Sequence, residues 1–281
     1  MICRNKGFFV THRPLRPTLN SMAVESKEAK SEQKPGVEAR LAPITSGFAA
    51  IFTGAPLDVV KLIAAILMVV DHANVIFLAH EANIWWKLGR IVFPLFCFAT
   101  ACNLRRGTRV PDYIAMLLLL GVVSQPIYAK ALSADDGNIL FTLAVGATIL
   151  TALRTRSLWL QHAVLGVGVT AVFTPWIRAR SGLDFGLAGM LFPAATYLVM
   201  DGRWSHVAWL VLLLVGLNWH QPNPMQFAPV SAALSAGIGS IAVALFALAF
   251  RDRPRFLPRY ALHVFYPGHL LVLMAIRAMT A

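Results

Sequence analysis

Apolar runs of membrane-spanning length alternate with short polar connections from residue 57 to the end of the chain. At about 1.5 Å of rise per residue, roughly 20 apolar residues cross a bilayer as a helix. The first run is 57–79, and eight more follow at 84–103, 112–132, 138–153, 158–177, 183–200, 206–219, 230–250 and 260–279. This pattern predicts an all-α polytopic membrane helix bundle with about nine transmembrane helices. Eight or ten also fit, because the runs at 138 and 206 are short and one of them could be re-entrant.

The composition agrees with a membrane domain and excludes an ordinary globular core. The chain is 57% hydrophobic and only 14% charged, with a mean hydropathy of +0.64. Soluble domains carry about a quarter charged residues. The formal net charge is +12, but the arginines stand in short clusters between apolar runs. Membrane topology explains such clusters, and we expect no nucleic-acid partner.

The first 45 residues differ from the rest of the chain. They mix lysines and arginines with glutamates, prolines, serines and threonines. Such a segment buries too little apolar surface to order itself. We therefore predict a disordered basic N-terminal arm over 1–45 and a transmembrane domain over 46–281.

The loop charges predict the orientation of the helices. Arginines follow the second, fourth, sixth and eighth runs, at Arg105, Arg106, Arg109, Arg154, Arg156, Arg203, Arg251, Arg253, Arg255 and Arg259. The intervening loops hold fewer basic residues, with Arg178 and Arg180 as the exception. The positive-inside rule therefore places the N-terminus and the arginine-rich loops in the cytoplasm and the C-terminus outside.

Polar side chains occur inside the apolar runs, where they are costly. An Asp at the centre of a membrane helix costs about 2.5–3.5 kcal/mol on insertion scales, so it normally faces a partner or a wet cavity. The predicted topology brings many such residues to one layer in the outer half of the membrane: Asp71, His72, Arg90, Ser124, Gln125, Asn138, Thr142, Asp184 and, near mid-depth, His269. This convergence predicts a functional site in which Arg90 is the counter-ion of Asp71 or Asp184.

Structural roles remain open for several of these residues. The pair Asp71–Arg90 could only fix helix packing, and Lys61 could extend its ammonium to the membrane interface. Interhelical hydrogen bonding is the structural alternative for Gln125, Asn138 and Thr142, whose side chains commonly have this role in membrane proteins. We favour a functional role for His269, because Pro267 before it frees backbone groups for a bend or a small cavity. Interfacial positions near span ends are predicted for His162, His206, His220 and His263.

Six short motifs occur in order between residues 57 and 279: KLIAAILMVVDH, GRIVFPLF, SQPIY, NILFTLAVG, DFGLAG and FYPGHLL. Together they resemble the TraX family, which includes the TrbP-type conjugal-transfer proteins. The resemblance implies a multi-pass acetyltransferase of the bacterial inner membrane, with an acyltransferase-like domain over 46–281. It would move an acetyl group from acetyl-CoA, without a metal, to the N-terminus of a conjugative pilin or to another membrane-presented amine.

The matched motifs supply the expected site residues. We expect catalytic roles for Asp71, His72, Arg90 and His269. We expect substrate binding by Lys61, Gln125, Asn138, Thr142, Asp184 and Tyr266. The chain departs from the family pattern at Phe185, where a Tyr is common, and near Met116, where an Arg usually follows the Tyr of the third span.

Acetyl transfer to an amine needs a base for the ammonium proton and a donor that stabilises the oxyanion. Histidine suits the base, because its charge changes near neutral pH. We expect His72 or His269 in this role, oriented by Asp71, while Arg90 or Asn138 polarises the carbonyl. A docking patch for the phosphates of coenzyme A is predicted at Arg105, Arg106 and Arg109, although the positive-inside rule alone also explains these residues.

Two other classes of function fit the polar layer. A proton-coupled transporter also places Asp, His and Arg inside the membrane. Transporters often contain inverted repeats, and we find no internal duplication here. A non-catalytic assembly factor of a conjugation or secretion apparatus would use the polar layer only for packing. In every case the lipid bilayer is a partner.

Overall fold

The computed structural model describes residues 50–79, 83–106, 109–154, 157–172, 182–219 and 229–280. The predicted N-terminal arm lies outside these ranges, as do Arg156, Arg178, Arg180 and His220. The described residues are almost entirely α-helical, and their only β-type pairing is an isolated bridge between Gly137 and Leu183. The predicted all-α class is confirmed.

The described residues form nine α-helices: α1 (Ala55–Leu78), α2 (Asn83–Arg105), α3 (Val110–Leu132), α4 (Ile139–Leu153), α5 (Leu158–Val172), α6 (Gly186–Met200), α7 (Val207–Asn218), α8 (Pro229–Leu248) and α9 (Ala261–Thr280). A 3-10 turn, Trp204–His206, precedes α7. Each helix overlaps one predicted run. By length and composition, α1, α2, α3, α8 and α9 are able to cross a membrane. The protein is therefore a multi-pass membrane protein.

The four remaining helices are shorter. Helices α4, α5 and α6 have 15 residues each, and α7 has 12. At about 1.5 Å per residue, a 15-residue helix is shorter than the hydrocarbon core of about 30 Å. The count of nine spans and the cytoplasmic N-terminus stay predictions.

Contacts between helix ends show that the helices alternate in direction. At one end of the bundle, Arg105 after α2 pairs with Asp201 after α6, at 3.1 Å. There too, Asp58 at the start of α1 accepts a hydrogen bond from the backbone of Phe256, which precedes α9. We call this arginine-rich end the basic end. The bridge between Gly137 and Leu183 joins the starts of α4 and α6 at the opposite end.

Helices α2 and α6 form the centre of the bundle, because most of their side chains are buried. Small residues let the backbones around α6 approach closely. A Cβ added at Gly146 of α4 would lie 2.7 Å from Pro193 of α6. Close approach of this kind is how membrane helices gain packing energy without a hydrophobic driving force between them. Helices α3, α8 and α9 instead expose much of their apolar surface, which suits contact with lipid.

Candidate functional site

Two histidines from distant parts of the chain meet inside the bundle. His72 belongs to α1 and His269 to α9, 197 residues later, and their Nδ1 and Nε2 atoms are 2.8 Å apart. The rings are nearly parallel, with an interplanar angle of 13°. His269 is buried and His72 is partly buried. The predicted convergence of these two residues is present in the structure.

The surrounding hydrogen bonds define the tautomers of the neutral pair. Nδ1 of His269 lies 3.0 Å from the carbonyl oxygen of Phe265, so this nitrogen carries the proton and donates. Nε2 of His269 is then an acceptor, and it receives the proton of His72 Nδ1. His72 Nε2 is left with a lone pair and forms no hydrogen bond within the described residues. The neutral pair therefore presents one unprotonated nitrogen.

Asp71 and Arg90 form the predicted ion pair. Arg90 Nη2 lies 3.6 Å from Asp71 Oδ1, and the two side chains are 17% and 18% exposed. The guanidinium also lies over the ring of Trp86, 5.1 Å from its centroid. A side chain at Gly89 would overlap the Asp71 carboxylate, which explains why α2 has a glycine there. The orienting partner of His72 Nδ1 is thus His269, whereas Asp71 pairs with Arg90.

Asp184 joins this polar group from the connection before α6. Its backbone N–H donates to the carbonyl of Gly137 at 3.0 Å, which fixes the segment beside the start of α4. The Tyr128 hydroxyl donates a hydrogen bond to its carboxylate, and Arg90 and Asp71 are near enough to interact electrostatically. Asp184 is exposed as a whole residue, but the surrounding protein desolvates its carboxyl group. The carboxyl group thus belongs to the polar group at the end opposite the basic end.

Gln125 and Asn138 connect α3 to α4. Asn138 is the N-cap of α4, since its side chain accepts from the Leu140 N–H at 3.0 Å. Its amide group donates to the Gly121 carbonyl and to Gln125 Oε1, at 3.0 and 2.9 Å. Gln125 in turn donates to the carbonyl of Asp136. These contacts match the structural alternative, interhelical hydrogen bonding, and substrate binding by Gln125 or Asn138 stays a prediction.

A cavity of about 140 Å³ extends from the basic end into the bundle. Near the basic end it is lined by Lys61, Arg255, Arg259 and His263. The rest of its lining is mostly apolar and includes Phe265 and Tyr266. Both of these residues contact His269, with ring centroids at 4.9 and 5.9 Å. The histidine pair thus lies behind two residues of the lining and does not itself line the cavity.

Tyr266 and Thr142 hold polar atoms without a partner among the described residues. Tyr266 lines the cavity and is 5% exposed, yet its hydroxyl forms no hydrogen bond there. Thr142 Oγ1 is likewise buried and unsatisfied. Such groups are rare, because an unmade hydrogen bond in the interior costs about 1–3 kcal/mol. The Tyr266 hydroxyl is thus available to a molecule in the cavity.

The arginines predicted to dock the donor lie outside the cavity lining. Arg105 pairs with Asp201 at 3.1 Å, and Arg106 donates to the carbonyl of Phe52. Arg109 is 88% exposed and lies 3.9 Å from Asp112. Within the described residues, the cavity is lined by none of these three. Lys61, in contrast, faces the cavity, which supports its place in the site over a purely interfacial role.

A second histidine pair lies near the basic end. His206 is fully buried, and its ring stacks on that of His162 with centroids 4.4 Å apart. The Trp209 indole donates to His162 Nδ1 at 2.8 Å. His206 is thus buried inside the protein, because the turn after α6 folds it back against α5, and its interfacial depth stays a prediction. His263, also predicted as interfacial, lines the cavity.

The sequence did not single out four residues that the structure places at the site or at its opening. They are Asp58, Tyr128, Arg255 and Arg259. Tyr128 lies three residues after Gln125. Helical periodicity was therefore a signal that both residues share one side of α3. In the described part of the chain, no group of three or more His, Cys, Asp or Glu residues is arranged to hold a metal ion.

Comparisons with known proteins agree with this architecture. A family model described as TraX protein matches residues 56–277, which overlap every described helix and include both histidines of the pair. The chain is similar to Protein TraX of Escherichia coli, with 34% identity over 223 residues, covering 77% of this chain and 85% of that protein. Protein TraX of Escherichia coli strain K12 is 34% identical over 227 residues, with the same coverage.

A more distant relative is the probable fimbrial assembly protein FimC, serogroup H1, of Dichelobacter nodosus. It is 25% identical over 253 residues, covering 76% of this chain and 92% of that protein. No solved structure matches the chain. The family model spans most of the chain, and the Escherichia coli proteins are similar over nearly their whole length. The chain therefore belongs to the TraX family.

Proposed function

We propose that the protein is an acetyltransferase of the bacterial inner membrane that moves an acetyl group from acetyl-CoA to an amine. The observation that carries the proposal is the unprotonated nitrogen of the His72–His269 pair, together with the contact of the His269 ring with Phe265 and Tyr266, which line a cavity that opens at the basic end. The positive-inside rule makes this the cytoplasmic end, where acetyl-CoA is found.

His72 is the general base in this mechanism. Its Nε2 accepts the proton that the amine loses as the nitrogen attacks the thioester carbonyl. His269 is a positioning residue, because its Nε2 holds the His72 Nδ1 proton and its own Nδ1 is anchored to the Phe265 carbonyl. A base fixed in this way typically accelerates proton transfer by about 10²–10⁴.

Tyr266 supplies the hydrogen-bond donor for the oxyanion. Its hydroxyl is buried, lines the cavity and has no partner among the described residues, so it requires no rearrangement to donate. Such a donor in a water-poor site is worth about 10²–10³ in rate. The ammonium first releases one proton to water, and the neutral amine attacks the carbonyl. The C–N bond forms, the C–S bond breaks, and the second proton, held by His72, passes to the sulfur of coenzyme A.

Asp184 gives the acceptor its first contact. An N-terminal amine is an ammonium in water, and the Asp184 carboxylate lies in the polar group at the end opposite the basic end. Donor and acceptor would therefore enter from opposite ends and meet at the histidine pair. The relative described as a probable fimbrial assembly protein supports a pilin subunit as the acceptor.

The experiment uses the purified full chain in lipid nanodiscs with ¹⁴C-acetyl-CoA. The acceptor is a synthetic pilin-like peptide with a free N-terminal amine, and the control peptide is the same with a blocked N-terminus. We expect label on the free peptide only. Label on neither peptide, with no hydrolysis of acetyl-CoA, would contradict an enzymatic role and favour the transporter or the assembly factor.

A further inference from the structure

The opening of the cavity carries positive charge that no carboxylate of the lining balances. Lys61 of α1 and two arginines of the connection between α8 and α9, Arg255 and Arg259, face the cavity there. Among its described lining residues there is no Asp and no Glu. We call Lys61, Arg255 and Arg259 the cationic rim. Three cations around one opening favour an anion with more than one charge.

A buried carboxylate behind the rim holds the connection in place. Asp58 is only 2% exposed, and it accepts the backbone N–H groups of Phe256 and Leu257 at 3.0 and 2.9 Å. Its other oxygen lies 3.7 Å from Arg255 Nε. The Arg255 side chain is still 52% exposed, so most of its N–H donors face away from Asp58. The rim is thus a fixed structure with free donors.

The cavity beyond the rim is mostly apolar. Its lining there includes Met68, Leu117, Leu120, Leu140 and Leu143, together with Phe265 and Tyr266. A ligand that fits this lining has phosphates at the rim, a flexible uncharged arm among the apolar residues and a reactive group near the Tyr266 hydroxyl. A nucleotide thioester has this arrangement.

We propose that Lys61, Arg255 and Arg259 bind the phosphates of the acyl donor, whose arm follows the cavity to Tyr266. This inference rests on the proposed acetyltransferase function. It replaces Arg105, Arg106 and Arg109 as the donor-binding residues, since these three are placed outside the lining. Guanidinium groups match phosphate geometry with paired N–H donors, and a lysine adds a point charge. A phospholipid headgroup is the other source of the same phosphate chemistry.

The test measures binding directly, with coenzyme A itself as the probe. The full chain is held in phosphatidylcholine nanodiscs, and its dissociation constant is measured for the wild type and for the double variant Arg255→Gln/Arg259→Gln. The matched control is Arg251→Gln/Arg253→Gln, in the same connection but outside the described lining. Arg109→Gln tests the patch predicted from the sequence. Arg259→Gln alone guards against misfolding, because Arg259 does not contact Asp58.

We expect the rim double variant to weaken coenzyme A binding at least tenfold and Arg259→Gln at least threefold, with both controls at the wild-type value. Loss of binding in Arg109→Gln, with the rim variants unchanged, would overturn the proposal. Native mass spectrometry with added phosphatidylglycerol tests the lipid alternative. If the rim variants bind coenzyme A like the wild type but no longer retain this lipid, the rim is assigned to lipid instead.

The two proposals fail in distinguishable ways. Acetyl transfer is measured on the same preparations. If the wild type transfers acetyl groups and the rim variants bind coenzyme A normally, the proposal for the rim is overturned and the proposed acetyltransferase function stands. Absence of both coenzyme A binding and transfer in the folded wild type would overturn the enzyme and the rim together.

Discussion

His72 and His269 are joined by a 2.8 Å contact between ring nitrogens, although they stand at opposite ends of the folded domain's sequence. The contact ties α1 to α9, the first and last helices of the described chain. Because neutral His269 donates its single ring N–H to a backbone carbonyl, the direction of the hydrogen bond between the rings is fixed in the neutral state. A contact needed only for packing would not require this order of donors and acceptors. The order suits a residue that accepts a proton, because it leaves Nε2 of His72 unprotonated.

Tyr266→Phe separates activity from stability. The variant removes a hydroxyl that has no partner in the described residues, so we expect thermal stability equal to or above that of the wild type. We expect kcat for acetyl transfer to fall by about 10²–10³, because the oxyanion loses its donor. Thermal unfolding and steady-state kinetics on the same preparation check both.

Tyr113→Phe is the matched control for that prediction. Tyr113 lines the same cavity, but its hydroxyl is 3.0 Å from Thr100 Oγ1. Losing this hydrogen bond should cost about 0.5–1.5 kcal/mol of stability and leave kcat near the wild-type value. Equal effects of the two variants on kcat would refute the role of the Tyr266 hydroxyl.

Gly89→Ala tests the close approach of α2 to Asp71. The added Cβ would overlap the carboxylate, so Asp71 or α2 must move away from the ion pair with Arg90. We expect a loss of about 1–3 kcal/mol in stability, typical of overpacking, and a lower rate of acetyl transfer. Thermal unfolding in detergent measures the first effect.

Gly268→Ala is the comparison for Gly89→Ala, because a Cβ at Gly268 meets nothing within 4 Å. Alanine is also favoured over glycine inside a helix by about 0.5–1 kcal/mol. We therefore expect no loss of stability from this variant. If the melting temperature of Gly268→Ala fell as much as that of Gly89→Ala, the loss in Gly89→Ala would not come from the contact with Asp71.

Asp58→Ala should loosen the connection between α8 and α9. It removes the acceptor of the Phe256 and Leu257 N–H groups, which costs about 1–3 kcal/mol when donors remain buried. Hydrogen exchange over residues 251–260 should become faster. The control is Asp252→Asn. Asp252 is an exposed acid in the same connection and pairs only with Arg251 in the described structure, so this variant should change the exchange rate little. Equal protection in both variants would show that Asp58 does not anchor the connection.

The helices follow from the sequence alone, because apolar runs bounded by polar connections leave little choice of secondary structure in a membrane. The layer that contains Asp71, His72, Arg90 and His269 also follows, since depth depends only on residue count along each helix. The pairing of His72 with His269 does not follow from the sequence. It depends on how far each helix rotates about its own axis, which only packing against neighbours determines.

The cationic rim was missed for a related reason. Arg255 and Arg259 belong to a cluster of four arginines whose spacing satisfies the positive-inside rule without any further role. Which of them face the cavity is decided by Asp58, whose hydrogen bonds orient the connection. The sequence offers Asp58 only as an acid in the first turn of a helix, where it is already favourable to the helix dipole.

The most direct test of the account is the rate of acetyl transfer by His72→Gln. It is compared with His269→Gln and with His162→Gln, which alters the other stacked histidine pair. The account predicts that His72→Gln lowers kcat by about 10²–10⁴ with KM for acetyl-CoA little changed. His269→Gln should cause a smaller loss, and His162→Gln none. A folded His72→Gln protein with the kcat of the wild type would contradict the account.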